Sequence, residues 1–240
     1  MKKLLILILM FTGSQLFAQP WKTIKGNGNL KKETRTVADF SSLSSHGALD
    51  VKIVYGNSND ITIEADENLL PYIETKVENG KLTIQTQKNV NLNSRKKMVV
   101  SVSMTTINSL QLSGSGNIDG NGSFTSAENS KIMVSGSGNI HLASANFKDV
   151  SLAISGSGNI LLKGGNANNV SVSVSGSGNA DCSDVSADNV EAKISGSGNA
   201  RVNAGKKLTA TISGSGNVFY KGNAIDISTR IVGSGKAIKI

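Results

Sequence analysis

The sequence is poor in the residues that cross-link, stack and interrupt. Cys182 is its one cysteine, so no disulfide can form within the chain, and packing and backbone hydrogen bonds must hold the fold. Its two prolines are Pro20 and Pro71. A chain free of proline from residue 72 onward suits strands paired on both sides, where every N–H is wanted. Aromatic residues make up 4% of the chain, too few for the stacking platforms of a nucleic-acid groove. Helical periodicity is nearly absent, and Glu67 to Tyr72, with Pro71 inside, reads as at most a turn. No apolar run reaches the roughly 20 residues of a membrane-spanning helix.

The longest apolar run is the first. Met1-Lys2-Lys3, the stretch Leu4 to Phe11, and Leu16-Phe17-Ala18 before Gln19 have the order of a signal peptide over residues 1–18. Its removal takes Lys2 and Lys3 away, so the net charge falls from +8 to +6 (8 − 2 = 6). The expectation is an exported protein in the periplasm, on the outer surface or secreted. The remaining basic residues cluster at Lys22 to Arg35 and at Arg95-Lys96-Lys97. They read as solvated surface, with contact to an anionic glycan or lipopolysaccharide as the alternative.

What the chain has in abundance is repetition. Ser-Gly-Ser-Gly-Asn occurs at 113–117, 135–139, 155–159, 175–179, 195–199 and 213–217, with a worn copy at Val232-Gly233-Ser234-Gly235-Lys236. The first glycines are Gly114, Gly136, Gly156, Gly176, Gly196, Gly214 and Gly233, and their spacings are 22, 20, 20, 20, 18 and 19 residues. That period suits one coil of a β-solenoid. Apolar residues stand two and, Thr229 apart, four places before each glycine, and six before in the better copies, as in Val170, Val172 and Val174; others stand four and six places after it, as in Ile160 and Leu162, with Gly120 and Lys239 breaking the last row. Period-2 alternation marks half-buried strands. Each coil therefore offers two inward faces, and a weaker group such as Val185 and Ala187 suggests a third. The motif sits between the first two faces and reads as a stacked corner. Glycine supplies the left-handed backbone, and Asn117, Asn139, Asn159, Asn179, Asn199 and Asn217 are placed to form an amide ladder along the seam.

The first half is strand-rich but irregular. Ala48 to Tyr55, Ile61 to Ala65, Thr75 to Val77, Leu82 to Gln85 and Met98 to Met104 alternate, and Asn79-Gly80 marks a hairpin. The organisation expected is an extended lead-in at 19–36, irregular β coils or an N-terminal cap at 37–107, and about seven regular coils at 108–240. A solenoid end needs a cover; at the far end only Lys236 and Lys239 offer charge.

Arg35 to Phe40, Val51-Lys52-Ile53, Ile61 to Asn68, Asn79-Gly80-Lys81-Leu82 and the serial Gly-Ser-Gly-Asn together resemble the head-GIN family of autotransporter-like adhesin domains, over roughly residues 35–215. The resemblance implies an all-β, single-stranded, right-handed parallel β-helix from a Bacteroides-like secreted protein. It implies no catalytic residues and no cofactor. Lys236 in place of Asn and Val232 in place of Ser depart from the motif.

Residue chemistry agrees. The serine row has no recurring base, since His46 and His141 do not repeat with it. The corner lacks the Lys-Ser/Thr and helix of a phosphate loop and the aspartates of a calcium roll. Asp181, Asp184 and Asp188, and Glu64, Asp66 and Glu67, are local acidic spots rather than a stacked catalytic pair. Cys182 falls in an inward slot and reads as apolar filler. No catalytic, cofactor or metal residue is assigned. The expected function is a non-catalytic adhesin that binds a cell-surface or extracellular glycan or polymer, with no nucleic-acid partner. The alternatives are a structural envelope protein without a ligand and, less favoured, a carbohydrate-active enzyme.

Overall fold

The computed structural model of the chain describes residues 21–240; the leader read over residues 1–18 lies outside them. The first ten strands are β1 (Lys22–Lys25), β2 (Leu30–Thr36), β3 (Ser42–Gly47), β4 (Asp50–Tyr55), β5 (Asp60–Asp66), β6 (Ile73–Glu78), β7 (Lys81–Thr86), β8 (Val90–Asn93), β9 (Val99–Met104) and β10 (Ser109–Gly114). The regular part continues with β11 (Asn117–Gly136), β12 (Asn139–Gly156), β13 (Asn159–Leu162), β14 (Gly165–Gly176), β15 (Asn179–Asp181), β16 (Ser186–Gly196), β17 (Asn199–Gly214), β18 (Asn217–Lys221), β19 (Asp226–Gly233) and β20 (Lys236–Lys239). One 3₁₀ turn, Leu70–Tyr72, stands where the Pro71 segment predicts a turn.

Stacked parallel coils make this a β-solenoid. Leu110 pairs with Ile132, Ile132 with Leu152, Leu152 with Val172, Val172 with Ala192, and Ala192 with Ala210. The inward rows read from the sequence form one continuous buried core. The seven corner glycines bound six full turns, one fewer than the seven coils expected, because the last corner closes no further coil. At about 4.8 Å per coil these six turns rise roughly 29 Å. Gly120, which breaks an inward row, is explained by Leu142 and Phe124: a Cβ at Gly120 would lie 2.5 Å from the Leu142 side chain and 2.9 Å from the fully buried Phe124 ring.

The corners fix the stack. Gly114, Gly136, Gly156, Gly176, Gly196, Gly214 and Gly233 all have φ between +117° and +126°. The carbonyl of Gly136 accepts both Ser157 N–H, at 2.9 Å, and Gly158 N–H, at 3.0 Å, from the next coil, and the same fork recurs at Gly114, Gly156, Gly176 and Gly196. A Cβ on Gly176 would lie 2.4 Å from the Gly156 oxygen. The second glycine of each motif is confined by packing instead: a Cβ on Gly178 would lie 2.2 Å from the Gly158 oxygen.

The first half departs from sequence order. β3 pairs in parallel with β10 on one side and β7 on the other, and β4 pairs with β11 and β9. The chain thus lays the β3–β4 level, drops beneath it to lay β7 and β9, and then climbs over both to start β10. Gly47, with φ +96°, is a further corner below Gly114 and accepts Ser115 N–H and Gly116 N–H. Asn79 and Gly80, both at positive φ, turn the β6–β7 hairpin.

The segment at 19–36, expected as an extended lead-in, supplies two paired strands from residue 22 onward. β1 pairs with β8, and β2 runs antiparallel to the whole of β5, which is itself antiparallel to β9. Antiparallel strands thus end the stack here, β6 beyond β7 on one face and β2 beyond β5 on the next, and β2 carries Lys31, Lys32, Glu33 and Arg35, a charged edge that resists pairing with other chains. Arg35 clamps it: Nη1 donates to the Ile73 carbonyl at 2.6 Å, Nη2 to the Leu70 carbonyl at 3.1 Å, and Nε bridges to Glu33 at 2.6 Å.

Gly176→Ala should destabilise the protein by about 3 kcal/mol or more, combining left-handed strain with overpacking. Gly56→Ala, where the nearest atoms lie 3.7 Å from an added Cβ, should stay within about 0.5 kcal/mol. Urea unfolding of both variants checks the contrast; equal losses would show that the corner imposes no special demand.

Candidate functional site

The six predicted asparagines line one seam. Asn139 Nδ2 donates to Asn117 Oδ1 at 2.9 Å, Asn159 to Asn139 at 2.8 Å, Asn179 to Asn159 at 3.0 Å, Asn199 to Asn179 at 2.9 Å, and Asn217 to Asn199 at 3.1 Å. Every amide points the same way. At the donor end Asp50 Oδ1 accepts both the backbone N–H of Asn117, at 3.0 Å, and its Nδ2, at 2.8 Å. At the other end the backbone N–H of Lys236 donates to Asn217 Oδ1 at 3.1 Å. A row of aligned amide dipoles is positive at its donor end and negative at its acceptor end. The carboxylate of Asp50 matches the positive pole, as charges match the ends of a helix.

A second ladder runs beside it on another edge, and the sequence reading missed it. Seven places before each corner glycine from Gly136 onward stand Asn129, Asp149, Asn169, Asn189, Lys207 and Asp226. Asn169 Nδ2 donates to Asp149 Oδ1 at 2.5 Å, Asn189 Nδ2 to Asn169 Oδ1 at 2.9 Å, and Lys207 Nζ lies 3.3 Å from Asp226 Oδ2. The signal was present at the repeat's own period, but the mixture of Asn, Asp and Lys hid it.

This ladder rims the largest groove among those described, of about 530 Å³. Asn129, Asp149, Asn169, Asn189 and Lys207 lie along one side and Lys131, Ser151, Ser171, Glu191 and Thr209 along the other, while Val150, Val170 and Val190 between them turn inward and are buried in the core. The groove crosses five coils, or about 19 Å at the inter-strand spacing. It offers amide and hydroxyl groups at a regular rise.

The sequence's other candidates sit apart. Asp184 is bridged to Lys221 at 3.2 Å, Asp188 to Lys206 at 2.9 Å, and Asp181 accepts both N–H and Oγ–H of Ser183. Glu64 and Glu67 pair with Lys32 and Lys31, and the buried Asp66 accepts Gly28 N–H and Ser94 Oγ–H. Among the described residues no three His, Cys, Asp or Glu side chains gather as a metal site. Ser44 Oγ lies 3.0 Å from His46 Nε2, but Ser44 is buried, and His46 has no carboxylate partner among the described residues. Cys182 fills the inward slot; burial, and then the Asp181 charge, push its thiol up to about 12.

The family whose model matches residues 39–224 is described as "Putative auto-transporter adhesin, head GIN domain". Among solved structures, a putative adhesin from Bacteroides fragilis superposes with a TM-score of 0.82 at 22% identity, covering 90% of this chain and 100% of that one. A protein from Parabacteroides distasonis described as a putative lipid binding protein superposes with a TM-score of 0.73 at 27% identity, covering 91% and 100%. A putative adhesin from Parabacteroides merdae gives 0.68 at 26% identity, covering 91% and 99%. No curated protein matches the chain.

Two outcomes follow from this geometry. Asp50→Ala strands both donors of Asn117 and should cost about 2 kcal/mol, whereas Asp50→Asn keeps an acceptor and should cost under about 1 kcal/mol; thermal unfolding of the pair decides. Cys182 should stay unlabelled by a thiol reagent at pH 8 until the protein unfolds. Its raised pKa leaves stability unaffected below the unfolded thiol's value near 8.5 and erodes it as pH climbs toward 12, because only the unfolded thiol ionises there. Labelling of the native protein at the rate of a free thiol would overturn the buried assignment.

Proposed function

The chain belongs to the head-GIN family of auto-transporter adhesins, and from that membership we propose that it is a non-catalytic binding protein of the cell surface or extracellular space that holds an extended polar polymer, a glycan foremost, in the groove along its second ladder. The observation that carries this is the groove itself: five coils present Asn, Asp, Ser, Thr and Lys groups at one repeating rise. A repeating ligand gains one like contact per coil, and weak contacts in register add. The acids of the groove do not form an isolated pair: Asp149 accepts from Asn169 and sits in a ladder, and Glu191 lies 2.6 Å from Lys193. This arrangement suits binding rather than acid–base work on a glycosidic bond.

The fold relatives favour the same class. Two of the three carry adhesin descriptions, and the lipid-binding description belongs to the Parabacteroides distasonis protein. A lipid would need an enclosed apolar cavity, and the groove here is open and edged on both sides by polar and charged residues.

A glycan array probed with the purified chain tests the proposal. At least one extended glycan should bind, and Asn189→Leu should weaken it by tenfold or more, the loss of one or two hydrogen bonds. Lys163→Ala, outside the groove, should leave binding unchanged. An array silent throughout, or binding indifferent to Asn189, would sink the groove assignment.

A further inference from the structure

Charge is spread unevenly over the molecule. Without Lys2 and Lys3 the net charge is +6 (8 − 2). Along the coils each sign finds the other: Lys193 pairs with Glu191, Lys206 with Asp188, and Lys221 with Asp184. The two-stranded sheet β1–β8 and its flanking loops lie outside that balance. Lys22, Lys25, Lys88, Arg95, Lys96 and Lys97 are all exposed there, and these six equal the net charge of the whole. Among the described residues only Lys97 of the six approaches an acid, Asp50 at 3.7 Å. Asp66 reaches this level too, but its two oxygens already accept Gly28 N–H and Ser94 Oγ–H. The faces of the small sheet differ. Ile24 and Leu92 pack against the core. Trp21, Thr23 and Lys25 alternate onto the other face, where Thr23 lies beside Asn91 and Lys25 beside Asn93, and all five are exposed. Trp21, the one tryptophan of the chain, is 67% exposed. Past Asn93 the chain turns into Arg95-Lys96-Lys97, and Lys96 and Lys97 line a hollow of about 380 Å³ with Asn91, Asn93 and Ser94.

We propose that this face docks on an anionic membrane surface, with its cations against headgroup phosphates and Trp21 at headgroup depth. Three observations select that partner. First, the cations are not committed to acids of the chain itself, and lysine and arginine near an anionic bilayer are drawn to it. Second, an exposed tryptophan shares the face with Lys25. Its ring is apolar at one end and carries an N–H at the other, which suits the boundary between headgroups and acyl chains. Third, the cations belong to one irregular level and do not recur at the period of the corner motif. A repeating polyanion therefore finds no register to follow here, as it does in the groove, whereas a bilayer presents its anions in a plane and asks for none. The contact takes up no acyl chain, so it needs no enclosed cavity. It shares no residue with the groove, and a docked chain keeps that groove free for its own ligand.

The chain from Gln19 onward, free of the apolar leader, should cosediment with vesicles of mixed phosphatidylglycerol and phosphatidylcholine and not with phosphatidylcholine alone. Salt at about 1 M, where the screening length is about 3 Å, should release it. Each cation at such a surface is worth about fivefold in binding, so Lys25→Ser, Arg95→Ser and Lys96→Ser together should weaken it about 100-fold. Lys148→Ser, Lys163→Ser and Arg230→Ser together remove the same net charge elsewhere and should cost under about threefold. All six positions are exposed, so both triple variants should keep the parent's circular dichroism and melting point. Trp21 emission should shift to the blue on binding, a signal that no other residue supplies. Asn189→Leu should dock like the parent, which separates this result from the fate of the groove. Anionic vesicles left unbound would overturn the proposal, as would equal losses in the two triple variants or unmoved Trp21 emission in the bound chain. If the first triple variant instead loses its hold on soluble polygalacturonate while vesicles stay unbound, the face serves an anionic polymer and the membrane assignment falls.

Discussion

Everything in this protein rests on one backbone contact, the carbonyl of a corner glycine taking two amides from the coil above. It serves three purposes at once. It satisfies N–H groups that a tight bend would otherwise strand. It sets the distance between coils, because the fork closes only when one corner lies directly over the last. It also excludes every side chain from the corner, since a Cβ at Gly156 or Gly196 would stand 2.5 Å from the oxygen below. With the corner in register, the rows two and four places before it and four and six places after it fall into line without further instruction. The buried column of Val134, Ile154, Val174, Ile194 and Ile212 is a consequence of the stacked corners as much as of its own hydrophobicity.

Side chains repeat the logic in polar form. Both ladders obey one order. An aspartate receives the first amide, asparagines follow, and a lysine stands at the next level: Asp50, Asn117 to Asn217, then Lys236; Asp149, Asn169, Asn189, then Lys207. Each asparagine of the first ladder spends a donor on the coil below and an acceptor on the coil above. The seam is therefore largely self-satisfied, and little of it is left for a ligand. The second ladder differs because it sits on the rim of a groove, with hydroxyls, Lys131 and Glu191 facing it.

The regular coils were readable because period, corner and alternation all point one way. Inward rows, corner glycines and the first ladder could be named from residue positions alone. The first half could not, and the corner at Gly47 shows why. Its sequence is His46-Gly47-Ala48-Leu49-Asp50, with Leu49 where later corners have glycine and Asp50 where they have asparagine. Later corners need that second glycine because the coil beneath approaches to within 2.2 Å of any Cβ. Beneath Gly47 no atom lies within 4 Å, because the chain between β7 and β9 detours through β8. Leucine therefore fits at 49 and is fully buried. The motif faded at the one level where the constraint that enforces it is absent, and the climb from β9 over β3 to β10 depends on long-range pairings that no local pattern records.

The same reasoning separates the ends. At the N-terminal end the chain abandons the coil, adds antiparallel strands and sets charge on β2. At the other end the corner persists through Gly233 and the apolar alternation continues at Ile227 and Ile231, although nothing in the chain's own described fold lies above to use them. The repeat's grammar therefore runs unbroken through the last described level: Ile227 and Ile231 keep the inward slots of Leu208 and Ile212, and Gly233 keeps the left-handed corner over Gly214.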